Sequence, residues 1–317
     1  MAVALRLGVR LLLLIVGVFV SSVLVFGFMA VLPGDPAGVA LGVNSSPEAI
    51  AALRTQFGLD RPLPVQYLDW IGGFLTFDLG ESWISRTPIA PLISDGLQVS
   101  LWLVGVSMVL AMVIAVPFGC LMALRNGKPS GLLLSGISQV GMAVPAFLAG
   151  IVLVTVFAVK LRWLPAGGWT VPAQDPLGFL ENLIMPALAL ALVQSAVLAR
   201  YVRSAVLDVL GEDYLRTARA KGLRPVQALI RHGLRNAAIP VVTVLGLQLT
   251  TLIIGAVVIE RVFVIPGIGS VLLNAVSSRD LIIVQNVVMV LVLIVLVINF
   301  LVDALYVVID PRLRSSR

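Results

Sequence analysis

Long apolar runs separated by short polar loops dominate the chain from end to end. A helix needs about 20 residues to cross the ~30 Å hydrocarbon core of a bilayer. Six runs reach that length: Leu11–Leu32, Val99–Leu124, Gly131–Val159, Leu183–Tyr201, Ala237–Ile259 and Leu281–Val308. The pattern predicts an all-α membrane protein with six transmembrane helices. The first run is longer than the ~7–15 residue apolar core of a secretory signal. It ends in Leu32-Pro33-Gly34-Asp35 rather than in a small-residue cleavage site, so it reads as an uncleaved first span. Prolines at 117, 145, 186 and 240 fall within these runs. There they either kink helices around a cavity or mark simple packing irregularity.

The runs divide the chain into a tail and first helix (1–32), a long segment (33–98), a five-helix core (99–308) carrying a polar loop (206–236), and a tail (309–317). Segment 33–98 is too patterned for a linker. Ser46-Pro47-Glu48 reads as N-cap, first-turn proline and first-turn acid. The helix so begun continues from Ala49 to Phe57 and ends at Gly58. Gln66–Phe74 suits a second helix, and Thr87-Pro88 repeats the cap-plus-proline start before Ile89–Leu97. Asp35, Glu48, Asp60, Asp69, Asp78, Glu81 and Asp95 give the segment an acidic face.

The polar loop Asp213–Asn236 stands out because it carries Arg216, Arg219, Lys221, Arg224, Arg231 and Arg235 between two apolar spans. Locally it predicts two short helices. Asp213–Ala220 has acid near its start and base near its end, as the helix dipole favours. Gly222 suits the left-handed residue that ends a helix, and Pro225 suits the first position of the next. In that second helix Val226, Leu229, Ile230 and Gly233 fall on one face at helical spacing. Such a hairpin is either a docking surface for another protein or a charged loop that only fixes topology.

Charge then sets orientation. The chain has 317 residues, 59% hydrophobic and 12% charged, with mean hydropathy +1.07 and net charge +6. Most basic residues fall on one side of the spans: Arg6 and Arg10, Arg125 and Lys128, Arg200 and Arg203, the polar loop, then Arg312, Arg314 and Arg317. The positive-inside rule makes that side, with both termini, cytoplasmic. Cations spread over such loops are no nucleic-acid footprint. Trp163 and Trp169 in the loop 160–182 fit an interfacial aromatic belt.

Candidate chemistry is sparse. Gly127-Lys128 is no phosphate loop, since Met122 and Pro129 occupy positions that motif needs for glycine and a hydroxyl. No Walker motif occurs. The lone Cys120 and lone His232 cannot build a metal site or a catalytic dyad. Gln139, Gln194, Ser195, Gln248, Thr250, Thr251, Asn286 and Asn299 lie within spans, lining a path or bonding between helices. Asp303 is the one carboxylate well inside the sixth span, a functional candidate or half of a structural ion pair with a flanking arginine.

Three stretches then carry a resemblance. RTARAKGL (216–223) followed by HGLRNAAIPVVT (232–243) resembles the cytoplasmic coupling loop of ABC-importer inner-membrane permeases, in the dipeptide/oligopeptide/nickel branch. LPGDP (32–36), FGLD (57–60) and DLGES (78–82) resemble the same branch. So does the run from Glu260 through Phe263 to Pro266-Gly267-Ile268-Gly269, with Arg279-Asp280 and Gln285 after it. The broader superfamily motif is eroded: Arg216, Thr217 and Ala218 stand where Glu-Ala-Ala is usual.

The resemblance implies a type I ABC-importer permease fold and a non-catalytic transport subunit in a bacterial inner membrane. It makes Asp213, Arg216, Ala218, Arg219, Ala220, Lys221, Gly222, Leu223, His232, Arg235 and Asn236 the ATPase-coupling loop. It makes Glu260, Pro266, Gly267, Gly269, Arg279 and Asp280 part of an extracytoplasmic gate and dock. The implied partners are a second homologous permease, one or two ABC ATPase subunits, an extracytoplasmic binding protein and membrane lipid. No cofactor is expected on this chain, with ATP and Mg on the ATPases. The implied mechanism is alternating access for a peptide or related small solute, with dipeptide, oligopeptide, nickel complex, glutathione and haem all open. The rival reading is a stand-alone channel or secondary transporter.

Overall fold

The computed structural model describes residues 2–32, 34–42 and 46–309. Pro33 and the tail arginines Arg312, Arg314 and Arg317 lie outside the described residues. Apart from an isolated Glu81–Pro88 bridge, the regular structure among the described residues is helical. In chain order the helices are α1 (Ala2–Val31), α2 (Pro36–Leu41), α3 (Pro47–Gln56), α4 (Leu63–Thr76), α5 (Ile89–Leu124), α6 (Pro129–Ala143) and α7 (Ala146–Leu153). They continue as α8 (Pro176–Leu210), α9 (Asp213–Ala220), α10 (Pro225–Ala228), α11 (Leu234–Val262), α12 (Ile268–Ser278) and α13 (Leu281–Ile309). Among the described residues, five helical runs are long and apolar enough to cross a membrane, and a bent pair of helices passes the same test when the two are taken together.

That bent pair occupies the third expected run, 131–159, which is broken rather than straight. α6 and α7 meet at 94°. The bend falls at Pro145, which has no N–H to donate and disfavours helical geometry in its predecessor; Val144 is extended, at φ −80° and ψ 122°. The prolines at 117, 186 and 240 instead lie inside unbroken helices. The segment Ile89–Leu97 is also not a separate helix but the start of α5, which runs for 36 residues. Thr87 does not cap it; its hydroxyl bonds the Ser85 hydroxyl at 2.7 Å.

The chain forms two compact units, with α5 and α13 contributing to both. One comprises residues 1–99 and 266–301. Here the sequence-predicted start of α3 holds: Ser46 Oγ accepts from the Ala49 N–H at 3.2 Å, Pro47 follows, and Gly58 turns left-handed at φ +69°. Exposed Glu48 has its carboxyl held below the usual range by its own backbone N–H and the Ser46 hydroxyl. The apolar centre joins Leu79, Ile89, Ile93, Ile268, Ala275, Ile283, Val284 and Val287. Trp70 donates its ring N–H to fully buried Asn286 at 3.1 Å, so a polar residue of the last span holds α4. Tyr67 meets Ser22 at 2.8 Å and the Phe26 ring edge-on, tying α4 to α1.

The other unit comprises, among the described residues, 100–265 and 302–309 and is built around α8. Small residues allow the close approach that helices need where lipid supplies no hydrophobic drive. A Cβ at Gly119 would come within 2.6 Å of the Ala199 carbonyl oxygen. Ser138 donates to the Ala196 carbonyl at 2.9 Å, joining α6 to α8. Gln194 and Gln248 bond side chain to side chain at 2.5 Å, joining α8 to α11. These intramembrane polar residues bond between helices. By contrast α1 keeps large apolar side chains outward, including Leu12, Leu13, Phe19 and Leu24, as a lipid-facing span should.

Candidate functional site

The basic hairpin sits on a fully apolar base. α9 projects Leu215, completely buried, into a cluster with Ala123, Val202, Ala205, Val206, Val209, Ala228, Leu229, Ala237 and Val241. The ends of α5, α8 and α11 thus grip the hairpin from within the same unit. Above that base Asp213, Arg216, Arg219, Ala220, Lys221, Gly222, His232, Arg235 and Asn236 are exposed, while Ala218 and Leu223 are half-buried. The arrangement is a charged, water-facing surface on a rigid apolar foot.

The turn between the two helices has the geometry expected of it. Gly222 stands at φ +93°. Its N–H donates to the Arg219 carbonyl at 2.9 Å, and the Leu223 N–H reaches back to the Ala218 carbonyl at 3.3 Å. This pair of bonds satisfies carbonyls that a helix end leaves open. Pro225 then opens α10, and Gln227 Oε1 accepts the Arg224 N–H at 3.2 Å. A bond absent from the sequence reading closes the hairpin: Asn236 Nδ2 donates to the Tyr214 hydroxyl at 2.8 Å. Arg216 meets Asp213 at 3.4 Å, an exposed pair of little energetic weight.

The second helix departs from expectation. α10 is not short and separate but continues through a π turn, Leu229–Gly233, into α11, so that residues 225–262 form one helix. Ala228, Leu229 and Gly233 point inward, whereas Val226 and Ile230, placed on the apolar face by 3.6-residue spacing, are exposed at 50% and 64%.

At its other end α11 carries the second candidate constellation. Glu260 is completely buried and accepts from the Ser100 hydroxyl of α5 at 2.5 Å. The helix ends with the Ile265 N–H reaching back to the Glu260 carbonyl at 2.8 Å. Val264 therefore takes the left-handed position, at φ +51°, where a β-branched residue is strained. Gly267, by contrast, is extended at φ −85° and ψ 175°. Phe263 is the largest fully buried side chain, packed against Gly150 of α7. Its carbonyl accepts the Gly168 N–H at 2.9 Å, and a Cβ on Gly167 would meet that carbonyl oxygen at 2.1 Å. Glycine at 167 is what allows the loop to lie on the turn.

The remaining gate candidates belong to the unit of residues 1–99 and 266–301. Pro266 and Arg279 are exposed, and Gly267, Gly269 and Asp280 are buried. Arg279 ends α12 in a left-handed conformation, φ +58°. Asp280 accepts from the buried Ser82 hydroxyl, which in turn accepts the Ser85 N–H at 2.8 Å. Glu260 and Asp280 thus each have their own serine partner, a pairing that separations of 160 and 198 residues hid from sequence reading. Asp303 lies half-buried on α13, and the flanking tail arginines lie outside the described residues. Among the described residues no cluster of three His, Cys, Asp or Glu side chains is placed to hold a metal.

Comparison with known proteins adds the following. The family described as "Binding-protein-dependent transport system inner membrane component" matches residues 115–315, and its N-terminal counterpart matches residues 4–103. The chain is 42% identical over 306 residues to the glutathione transport system permease protein GsiC of Escherichia coli, covering 96% of this chain and 97% of that one. It is 37% identical over 293 residues to the probable peptide ABC transporter permease protein y4tP of Sinorhizobium fredii, covering 92% and 94%. Among solved structures, an inward-facing MetNI methionine ABC transporter chain superposes with TM-score 0.59 at 20% identity, over 69% of this chain and 96% of that one. An amino acid ABC transporter with histidines superposes with TM-score 0.52 at 16% identity, over 68% and 93%. At these identities the two structures speak to fold alone.

Proposed function

The chain belongs to the family of binding-protein-dependent transport system inner membrane components, and from that premise we propose that it carries short peptides, glutathione included, through the membrane by alternating access. It is a multi-pass inner-membrane permease of an ABC importer. Such a permease works with an ATPase and a binding protein. In the proposed assembly it pairs with a second, similar permease and with two ATPase domains, on one chain or two. ATP and Mg reside on those ATPases and no cofactor on this chain, which catalyses nothing itself. Both termini and the hairpin 213–236 face the cytosol, while segment 33–98 faces the binding protein.

The observation that carries this reading is the hairpin. Its exposed cations stand on a base in which Leu215 is completely buried, so a force applied to the surface is delivered to α5, α8 and α11 rather than absorbed by a loose loop. The peptide assignment rests on the relatives that cover nearly the whole chain.

The test is reconstitution of the permease pair with its ATPase and binding protein in vesicles, followed by uptake of labelled glutathione and dipeptides. Uptake should require ATP, the ATPase and the binding protein together. Uptake that proceeds without the ATPase would instead identify a channel or secondary transporter.

A further inference from the structure

We propose that Arg125, Lys128, Arg200 and Arg203 form a seat for the phosphate of an anionic membrane lipid. The cluster sits where α5 ends at Leu124 and α6 begins at Pro129, at the end of two membrane-spanning elements. Arg203 comes from α8, and its Nη2 donates to Asn126 Oδ1 at 2.9 Å. That bond brings the α5–α6 loop and α8 together. Arg200 lies three residues earlier on α8, on the same face, and Arg125 and Lys128 flank Asn126 in sequence.

Arg203 is the most informative member. It is half-buried, its Nε is enclosed with no acceptor, and its one bonded N–H is spent on a neutral amide. A freely solvated arginine needs no partner, but this one is pinned with its charge uncompensated. Among the described residues none of the four cations stands in an ion pair like those of Arg54 with Asp35 or Arg61 with Asp69. The loop that presents them is built, not loose. Gly127 is left-handed at φ +77°, and a Cβ on Gly131 would meet the Arg125 carbonyl oxygen at 2.2 Å. The loop is thereby packed tightly on the first turn of α6.

The guanidinium suits a phosphate of either source, and the apolar surface next to it selects a lipid over a soluble anion. A phosphodiester matches the planar donor fork of a guanidinium. Directly beside the cations, Leu132 and Leu133 of α6 are 78% and 67% exposed, an apolar strip suited to acyl chains. Head and tail requirements therefore meet within one helical turn.

The experiment uses the full chain with its partner subunits, in nanodiscs of phosphatidylcholine with or without phosphatidylglycerol. Mass spectrometry reads the phosphatidylglycerol retained after exchange into phosphatidylcholine, and thermal unfolding reads stabilisation. Removing one basic residue beside an anionic headgroup should weaken retention about fivefold, so Arg203→Gln falls by that factor and Arg203→Gln with Lys128→Gln by about 25-fold. Asn126→Ala keeps the charge but releases the guanidinium, and should also lose retention. Arg162→Gln, exposed in the loop beyond α7, makes the same change in net charge and should retain lipid as the parent does. If Arg203→Gln does not fold, exposed Lys128→Gln and Arg200→Gln carry the same test. Retention unchanged in these variants, or lost equally in Arg162→Gln, overturns the proposal. So does equal stabilisation by inorganic phosphate in pure phosphatidylcholine, which would mark a soluble-anion site.

Discussion

Replacing Gly222 by valine isolates the backbone of the coupling hairpin from its contacts. A Cβ built on Gly222 meets nothing within 4 Å, so the substitution causes no clash. What it meets is torsion: Gly222 sits at φ +93°, between the two bonds that end α9. A left-handed conformation costs an ordinary L-residue about 1–2 kcal/mol, and a β-branched one lies at the upper end. That is about 5- to 30-fold in the population of the intact turn. Membrane insertion depends on the hydropathy of the spans and should be unaffected. The expected phenotype is near-normal membrane level, weaker pull-down of the ATPase, and stimulated ATP hydrolysis and uptake falling together. Gly222→Ala should show a smaller loss of the same kind. If Gly222→Val holds the ATPase, stimulates it and transports like the parent, the coupling assignment is wrong. The basic loop would then be only a topology signal.

Other outcomes follow from single residues. Leu215→Ala removes a completely buried anchor and should cost about 2–5 kcal/mol, read as a lower unfolding midpoint with impaired coupling; an unchanged midpoint would show that the hairpin is not gripped by its apolar base. Val264→Gly relieves a left-handed valine that is 77% exposed and should stabilise the protein by roughly 1 kcal/mol, since little packing is lost; a lower midpoint would mean that the valine side chain matters more than its torsion. Asp303→Asn should reduce folded yield or thermal stability more than transport per molecule, and a stable variant that does not transport would assign the carboxylate a working role. A cysteine at exposed Ala52 on α3 should be labelled by an impermeant reagent from outside spheroplasts; labelling only from the cytosolic side would invert the topology.

Most of the span pattern was legible because hydropathy over about 20 residues is a strong signal. So was the turn at Gly222–Pro225, where two residues of unusual backbone preference mark adjacent helix ends. The break at Pro145 was only partly legible. Prolines 117, 186 and 240 have the same local chemistry, yet they lie within unbroken helices, so a proline alone does not mark the bend. Helical spacing grouped Val226 and Ile230 with Leu229 and Gly233, but only the latter two reach the buried face, and no periodicity announced the π turn that follows Ala228. The left-handed turn at Val264 was not legible, because a β-branched residue is a poor local sign of positive φ. Contacts such as Ser100 with Glu260 and Tyr214 with Asn236 are products of tertiary structure. A single chain without its fold holds no local sign of them.

The merger of α10 and α11 has a mechanical meaning. Thirty-eight residues of helix at 1.5 Å each make a shaft about 57 Å long. One end is the basic hairpin, and the other is the strained Val264 turn on which the 167–168 loop rests. With no hinge of loop between them, a rotation of a few degrees imposed at the hairpin swings the far end by several ångströms, a distance comparable to a side chain. Leverage of this kind runs both ways: a ligand that prefers one pose of the Val264 end must shift the affinity at the hairpin by the same free energy.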